Sequence, residues 1–131
     1  MGVPEIVGRL LAARGIDLDS AGHFLEPTLR ALLPDPSVLA DMDAAAERLA
    51  DAVVANETVG VFGDYDVDGA CSAALMVTFL RALGCTVHHH VPDRMREGYG
   101  PNGPALASLA ARGATLVVCV DCGTAAAEAL S

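Results

Sequence analysis

Apolar residues in the first stretch of the chain recur at helical spacing. Val3, Ile6, Val7, Leu10 and Leu11 fall at i, i+3, i+4, i+7 and i+8, which predicts one amphipathic helix that Gly15 can close. The next apolar segment, HFLEPTLRALLPDP, is interrupted by Pro27, Pro34 and Pro36, so it predicts only short helical pieces and turns. A third helix is expected from Asp43 to about Ala55, where Met42, Ala45, Leu49 and Val53 share a face and acidic residues occupy the first turn.

After Asn56 the period changes. Thr58 to Phe62 is a short β-branched run, Thr86 to Val91 reads as a second strand, and Thr115 to Val120 as a third of nearly continuous apolar character. Between them lie helical stretches, Ala70 to Leu83 closed by Gly84 and Pro104 to Ala111 closed by Gly113. Strands apolar throughout, alternating with helices, predict an α/β class with a parallel sheet flanked by helices on both faces and right-handed crossovers. The expected organisation is a helical amino-terminal region over residues 1–56 and the first part of an α/β domain over 57–131.

Composition narrows the functional classes. Hydrophobic residues make up 53% of 131, yet no apolar run approaches the ~20 residues of a membrane helix. The opening MGVPEIVGRLLAARG lacks a basic stretch followed by an apolar one, so the expected location is the cytoplasm. A net charge of -9 argues against non-specific nucleic-acid binding, which depends on Lys and Arg. Cys71, Cys85, Cys119 and Cys122 fit a reducing compartment. The spacing Cys119-x-x-Cys122 lacks the second pair that zinc would want, and it falls on a strand rather than opening a helix.

Charge is concentrated in Gly63-Asp64-Tyr65-Asp66-Val67-Asp68-Gly69, three carboxylates at alternate positions directly after the first strand. Ligands of open parallel sheets collect outside the carboxyl ends of the strands, so this loop and Asp121, which follows the third strand, are expected to share an edge. In an extended loop Asp66 and Asp68 would point to one side and converge on an ion, with Asp121 approaching from a neighbouring strand. Oxygen donors alone suit Mg²⁺ or Mn²⁺ better than zinc, and a solvated turn is the plainer alternative. Asp64 either touches the metal or caps the following backbone.

His88, His89 and His90 lie in the second strand, where neighbours point to opposite faces, so the triplet is expected to be a strand-edge feature without a ligand role. The loop Val91 to Gly103 carries Arg94, Arg96 and Tyr99. It is either a solvated loop or a phosphate-handling one, in which Arg forks onto phosphate and Tyr99 stacks or hydrogen-bonds.

The blocks IVGRLLAARGI, FLEPTLRALLPDP, LADMDAAAERLADAV, VGVFGDYDVDGACSAAL, VPDRMREGYGPNG and LVVCVDCGT occur in an order that resembles the amino terminus of bacterial RecJ proteins. These are single-stranded-DNA-specific 5′→3′ exonucleases of the DHH phosphoesterase superfamily. The resemblance covers essentially the whole chain. It implies a partial DHH phosphoesterase domain after a helical prelude, metal-dependent hydrolysis of phosphodiester bonds, Mn²⁺ or Mg²⁺ in a two-metal site, and single-stranded DNA as the partner of the full-length protein.

By the same resemblance, Asp66 and Asp68 match the D-x-D ligands of the first motif and Asp121 the Asp of the second, while Arg94 to Gly100 match the stretch beside the active site. Two positions depart from the superfamily pattern. Phe62 stands where some members place a His ligand, and Cys122 stands where Asn is common. The Asp-His-His motif is not found in these residues. The resemblance therefore implies a piece with an incomplete site, inactive alone, whose open sheet edge promotes self-association. The alternatives are a small-substrate DHH phosphoesterase acting on oligonucleotides or cyclic dinucleotides, and a non-catalytic remnant or interaction module.

Overall fold

The computed structural model describes residues 2–130, which form two compact units, one through Met42 and one from Asp43. The helix before Asn56 packs on the sheet through Leu49, Ala52 and Val53 and so groups with the second unit.

The first unit contains α1 (Glu5–Ala13), α2 (Leu18–Leu25), α3 (Leu29–Leu32) and a single 3-10 turn at Pro36–Val38. Gly15 takes a φ of 70° after α1, the left-handed conformation in which glycine costs least. Periodicity did not foreshadow α2. Its signal is local: Asp17 caps it, accepting from the Ser20 N–H at 2.7 Å. The prolines confine the segment after α2 to one helical turn and the 3-10 turn, as expected. Only Leu11 and Ala21 are buried here among the described residues, while Leu18, Leu29 and Leu33 are largely exposed.

The second unit is a three-stranded parallel sheet, β1 (Val59–Gly63), β2 (Val87–His90) and β3 (Leu116–Val120), in the order β2-β1-β3. Its helices are α4 (Met42–Val54), α5 (Val67–Ala82), α6 (Gly103–Ala111) and the short α7 (Ala127–Leu130). β1 is central and buried at every residue. Its side chains alternate between two cores. Val59 and Val61 face Ala52 of α4 and Ala73, Val77 and Leu80 of α5, whereas Phe62 faces Ala105 and Leu109 of α6. β3 divides likewise, with Leu116, Val118 and Val120 on the first side and Val117 and Cys119 on the second. β1 and β3 carry packed residues on both faces, which explains why they read as unbroken apolar runs, whereas β2, at the sheet edge, carries three histidines. Phe62, Leu80, Leu109, Val59 and Val61 are fully buried, and each contributes about 1.5–3 kcal/mol of transfer free energy.

At the amino ends of the strands Arg48 of α4 forks onto Glu57 at 3.0 and 2.9 Å, and the Thr115 hydroxyl donates to the same carboxylate at 2.6 Å. This ties α4 to the residues entering β1 and β3, at the end of the sheet opposite the acidic loops. β3 pairs only with β1 among the described residues, and all five of its residues are half-buried.

Candidate metal centre

β1 and β3 are adjacent, with Gly63 opposite Val120, so the chain leaves both strands side by side at Asp64 and Asp121. The first of these exits is held by close backbone packing. A Cβ on Gly69 would lie 2.6 Å from both the nitrogen and the carbonyl oxygen of Asp64, and one on Gly63 would lie 2.9 Å from the Ala73 Cβ. Neither glycine has positive φ. The two glycines that frame the acidic stretch are there for close approach, letting the first turn of α5 rest on the backbone of Asp64, and a solvated turn is not what forms.

That packing starts α5 at Val67, three residues earlier than the apolar pattern indicates. Asp66 becomes its N-cap, accepting from the Gly69 N–H at 2.9 Å, and Asp68 enters the first helical turn. The alternation expected of an extended loop therefore does not operate between Asp66 and Asp68. The carboxylates that converge are Asp64, Asp66 and Asp121, one oxygen of each lying within 4.8 Å of the others. Asp64 is 3% exposed, the one charged residue buried among those described, and it accepts from the Tyr65 N–H at 2.8 Å. Asp64 thus caps the following backbone and at the same time lies within the carboxylate cluster. Asp68 lies outside the converging set but close enough for its charge to act on Asp121.

Asp121 is held differently. Its φ is 59°, a left-handed conformation that costs a non-glycine residue energy, although Asp tolerates it better than most. Its carboxyl is raised above the ordinary value, first by loss of water contact, then by the charge of Asp66 and a hydrogen bond with it, and then by Asp68 and Asp64. A cation placed among these oxygens would reverse that penalty.

The donor set tests the ion. It is all oxygen, which fits Mg²⁺ or Mn²⁺. Cys122, the nearest sulfur, is pushed up to about 11 by burial, then by Cys119 and the carboxylates of Asp64 and Asp121; it stays a thiol and donates to the Val120 carbonyl at 3.3 Å. Burial raises Cys119 as well, and all four cysteines are free. Neither member of the Cys-x-x-Cys pair has the lowered pKa of a redox thiol.

The loop after β2 returns to this edge. Arg94 lies over the Tyr65 ring, 5.2 Å from its centroid, and Tyr99 meets the same ring edge-on at 6.4 Å. The acidity of Tyr99 is lowered, first by loss of water contact and then by Asp64, Cys122, Asp121 and Asp66. Arg96 goes elsewhere. Its Nε lies 4.0 Å from Asp93, and it borders a separate hollow with His90 and Glu97. Tyr99, Pro101, Asn102, Asp121, Cys122 and Thr124 line an open cleft of about 960 Å³ along the edge. Pattern reasoning singled out neither Tyr65 nor Glu97. The signal for Tyr65 was its place between two of the acids, and the signal for Glu97 was the only carboxylate between Asp93 and Asn102.

His88 and His90 are each engaged within the fold. His88 Nδ1 lies 3.0 Å from Arg112, and His90 stacks on Phe62 with centroids 5.4 Å apart while its Nε2 meets Glu97 at 2.7 Å. None of the three joins the carboxylate group.

Comparison with known proteins agrees with this layout. Residues 58–131 match the model of the DHH family, N-terminal domain. The chain is 37% identical to the single-stranded-DNA-specific exonuclease RecJ of Bacillus subtilis over 95% of its own length, and 40% identical to that of Dickeya dadantii over 92%. It is 43% identical to the RecJ of Thermus thermophilus over 58%. It spans only 16, 20 and 11% of those relatives respectively. A crystal structure of exonuclease RecJ bound to manganese superposes with a TM-score of 0.61 at 36% identity, over 66% of this chain and 22% of that one.

Proposed function

The chain belongs to the DHH family, and from that premise we propose that it is the metal-binding front portion of a RecJ-type 5′→3′ exonuclease that hydrolyses phosphodiester bonds in single-stranded DNA. One observation carries the reading: Asp64, Asp66 and Asp121, from two adjacent strand ends, bring carboxylate oxygens within 4.8 Å of one another. The similarity to RecJ proteins over nearly the whole chain supports it, as does the manganese named with the solved RecJ structure.

In this reading Asp66 and Asp121 hold a divalent ion, Mn²⁺ or Mg²⁺. Asp64 completes the set from its buried position, and Asp68 adds charge or a water-mediated contact from the first turn of α5. Held there, a divalent ion would supply water activation and charge neutralisation toward a substrate phosphate. The work of the chain's own residues is positional. The Gly63–Gly69 junction fixes two of the three carboxylates against α5, and the φ of Asp121 aims the third. Arg94, steadied on Tyr65, supplies a guanidinium at the rim for a substrate phosphate, and Tyr99 closes the side next to Asp121. Arg96, paired with Asp93, is the weaker candidate for phosphate.

These carboxylates suffice for one ion, and these residues supply no Asp-His-His motif for a second. Little nuclease activity is therefore expected of the 131-residue chain by itself. Calorimetric titration of Mn²⁺ into the chain and into Asp66→Ala tests the reading. Binding by the first and its loss in the second supports it, whereas equal weak binding by both favours a non-catalytic interaction module. Self-association through the half-exposed β3 edge belongs to the same proposal, and a sedimentation profile that stays monomeric at high concentration would remove that part.

A further inference from the structure

Glu97 carries more contacts than a residue of a solvated loop requires. Its Oε1 accepts from the Asp93 N–H at 2.8 Å, its Oε2 lies 2.7 Å from His90 Nε2, and the Asn102 amide reaches the same oxygen at 3.5 Å. Its own N–H donates to the Asp93 carbonyl at 2.8 Å. These partners mark the two ends of the loop. His90 is the last residue of β2, and Asn102 is the N-cap of α6, accepting from Ala105 at 2.9 Å. His90 in turn stacks on Phe62, which lies in β1 two residues before Asp64. One carboxylate therefore draws the exit of β2 and the entry of α6 together, and the segment between them bears Arg94 and Tyr99.

We propose that Glu97 is the positioning residue of this loop, a staple between His90 and Asn102 that holds Arg94 and Tyr99 on Tyr65 beside the acidic cluster. The inference relies on the reading above for the task of Arg94, but not for the geometry of the staple. The carboxyl of Glu97 is held below its usual range, first by the Asp93 N–H and next by His90, as expected of a carboxylate that works as an acceptor. Arg94 by itself is an exposed side chain with many rotamers; fixing its backbone and giving it an aromatic face reduces the entropy lost when it meets a phosphate.

The composition provides a clean probe. The chain has no tryptophan and two tyrosines, Tyr65 and Tyr99, both in the array. Near-ultraviolet circular dichroism thus reads the array almost alone, while melting in the far ultraviolet reads the fold. The experiment compares wild type, Glu97→Ala, Glu97→Gln, Arg94→Ala and the Glu97→Ala/Arg94→Ala double variant, with Mn²⁺ and thymidine 5′-monophosphate as the titrated probes.

Glu97→Ala is expected to lose most of the tyrosine signal and to hold Mn²⁺ within about twofold of wild type. It should bind the nucleotide in saturating Mn²⁺ roughly threefold to tenfold more weakly, the scale of one ordinary net hydrogen bond, since the guanidinium is displaced rather than removed. The loss in the double variant should fall well short of the sum of the two single losses, because both changes remove the same placed guanidinium. Glu97→Gln, which keeps one acceptor oxygen, should fall between wild type and Glu97→Ala. An unchanged tyrosine signal in Glu97→Ala, or full additivity with Arg94→Ala, overturns the proposal. Should Glu97→Ala fail to fold, the tyrosine signal of Glu97→Gln decides the matter in the same way. Failure of Mn²⁺ to distinguish wild type from Asp66→Ala would instead overturn the metal reading and leave the staple to be judged by the tyrosine signal.

Discussion

Two loops bring carboxylates to the same edge, and they do it by different physics. After β1, Asp64 is buried, its backbone is pressed by the first turn of α5, and Asp66 is committed as a helix cap. After β3, Asp121 is exposed, and what aims it is a left-handed backbone at the end of a half-buried strand. The first loop is set by packing that the whole α5–β1 contact enforces. The second stores strain and electrostatic repulsion that a cation would relieve. A site built this way has a rigid half and a half whose energy depends on the ion.

The largest effect should come from attacking the rigid half where it is tightest. Gly69→Ala puts a methyl 2.6 Å from two backbone atoms of Asp64, and backbone cannot rotate aside. A loss of about 2–4 kcal/mol in urea unfolding is expected, together with loss of Mn²⁺ binding. Gly63→Ala meets Ala73 at 2.9 Å and the Gly69 carbonyl at 3.0 Å, and should cost about 1–3 kcal/mol. If Gly69→Ala melts like wild type, the rigid half is not rigid.

Next in size is Asp66→Ala, which removes a cap and a proposed ligand together. Stability should fall by about 1 kcal/mol without metal, and the stabilisation that Mn²⁺ confers on the wild type should disappear. Asp121→Gly should do the opposite in the metal-free protein, raising the melting temperature by relieving both the φ of 59° and the repulsion, while abolishing the shift caused by Mn²⁺. A lower melting temperature for Asp121→Gly without metal would show that Asp121 is not the strained partner.

The smallest effect is on pH, and its signs differ between the regions. Asp121 has a raised carboxyl, so its unfavourable contribution grows as pH rises from its ordinary value of 3.8 through the higher folded value. Glu97 and Glu57 are held low, Glu57 first by Arg48 and then by Thr115; their contributions are present above 4.5 and are lost as pH falls through their lower folded values. Melting curves across this range with chelator and with Mn²⁺ should therefore differ most on the alkaline side of 3.8, where the ion cancels the Asp121 penalty. Parallel curves with and without Mn²⁺ would count against an ion among these carboxylates.

Much of this was legible along the chain. The apolar runs that became β1 and β3, alternating with helices, called for a parallel sheet, and Asp66 and Asp121 at strand ends pointed to one edge, because burial on both faces and the open crevice follow from composition and order. Other features depend on neighbours distant in sequence. The early start of α5 follows from glycines that fit against Asp64, which moves Asp68 into a helix and brings Asp64 into the cluster. The edge-to-ring array of Tyr65 and Tyr99, the separate fates of Arg94 and Arg96, and the staple at Glu97 depend on β2 and β1 lying side by side.

By itself the sequence determined the α/β class, the helical prelude broken by prolines, and which strand ends carry acid, since periodicity and residue type act locally. Only the tertiary structure decided which carboxylates meet. That depends on distances of a few ångströms between backbones, set by whether a glycine or a Cβ stands at a contact, and no pattern along one chain records where the other side of that contact lies.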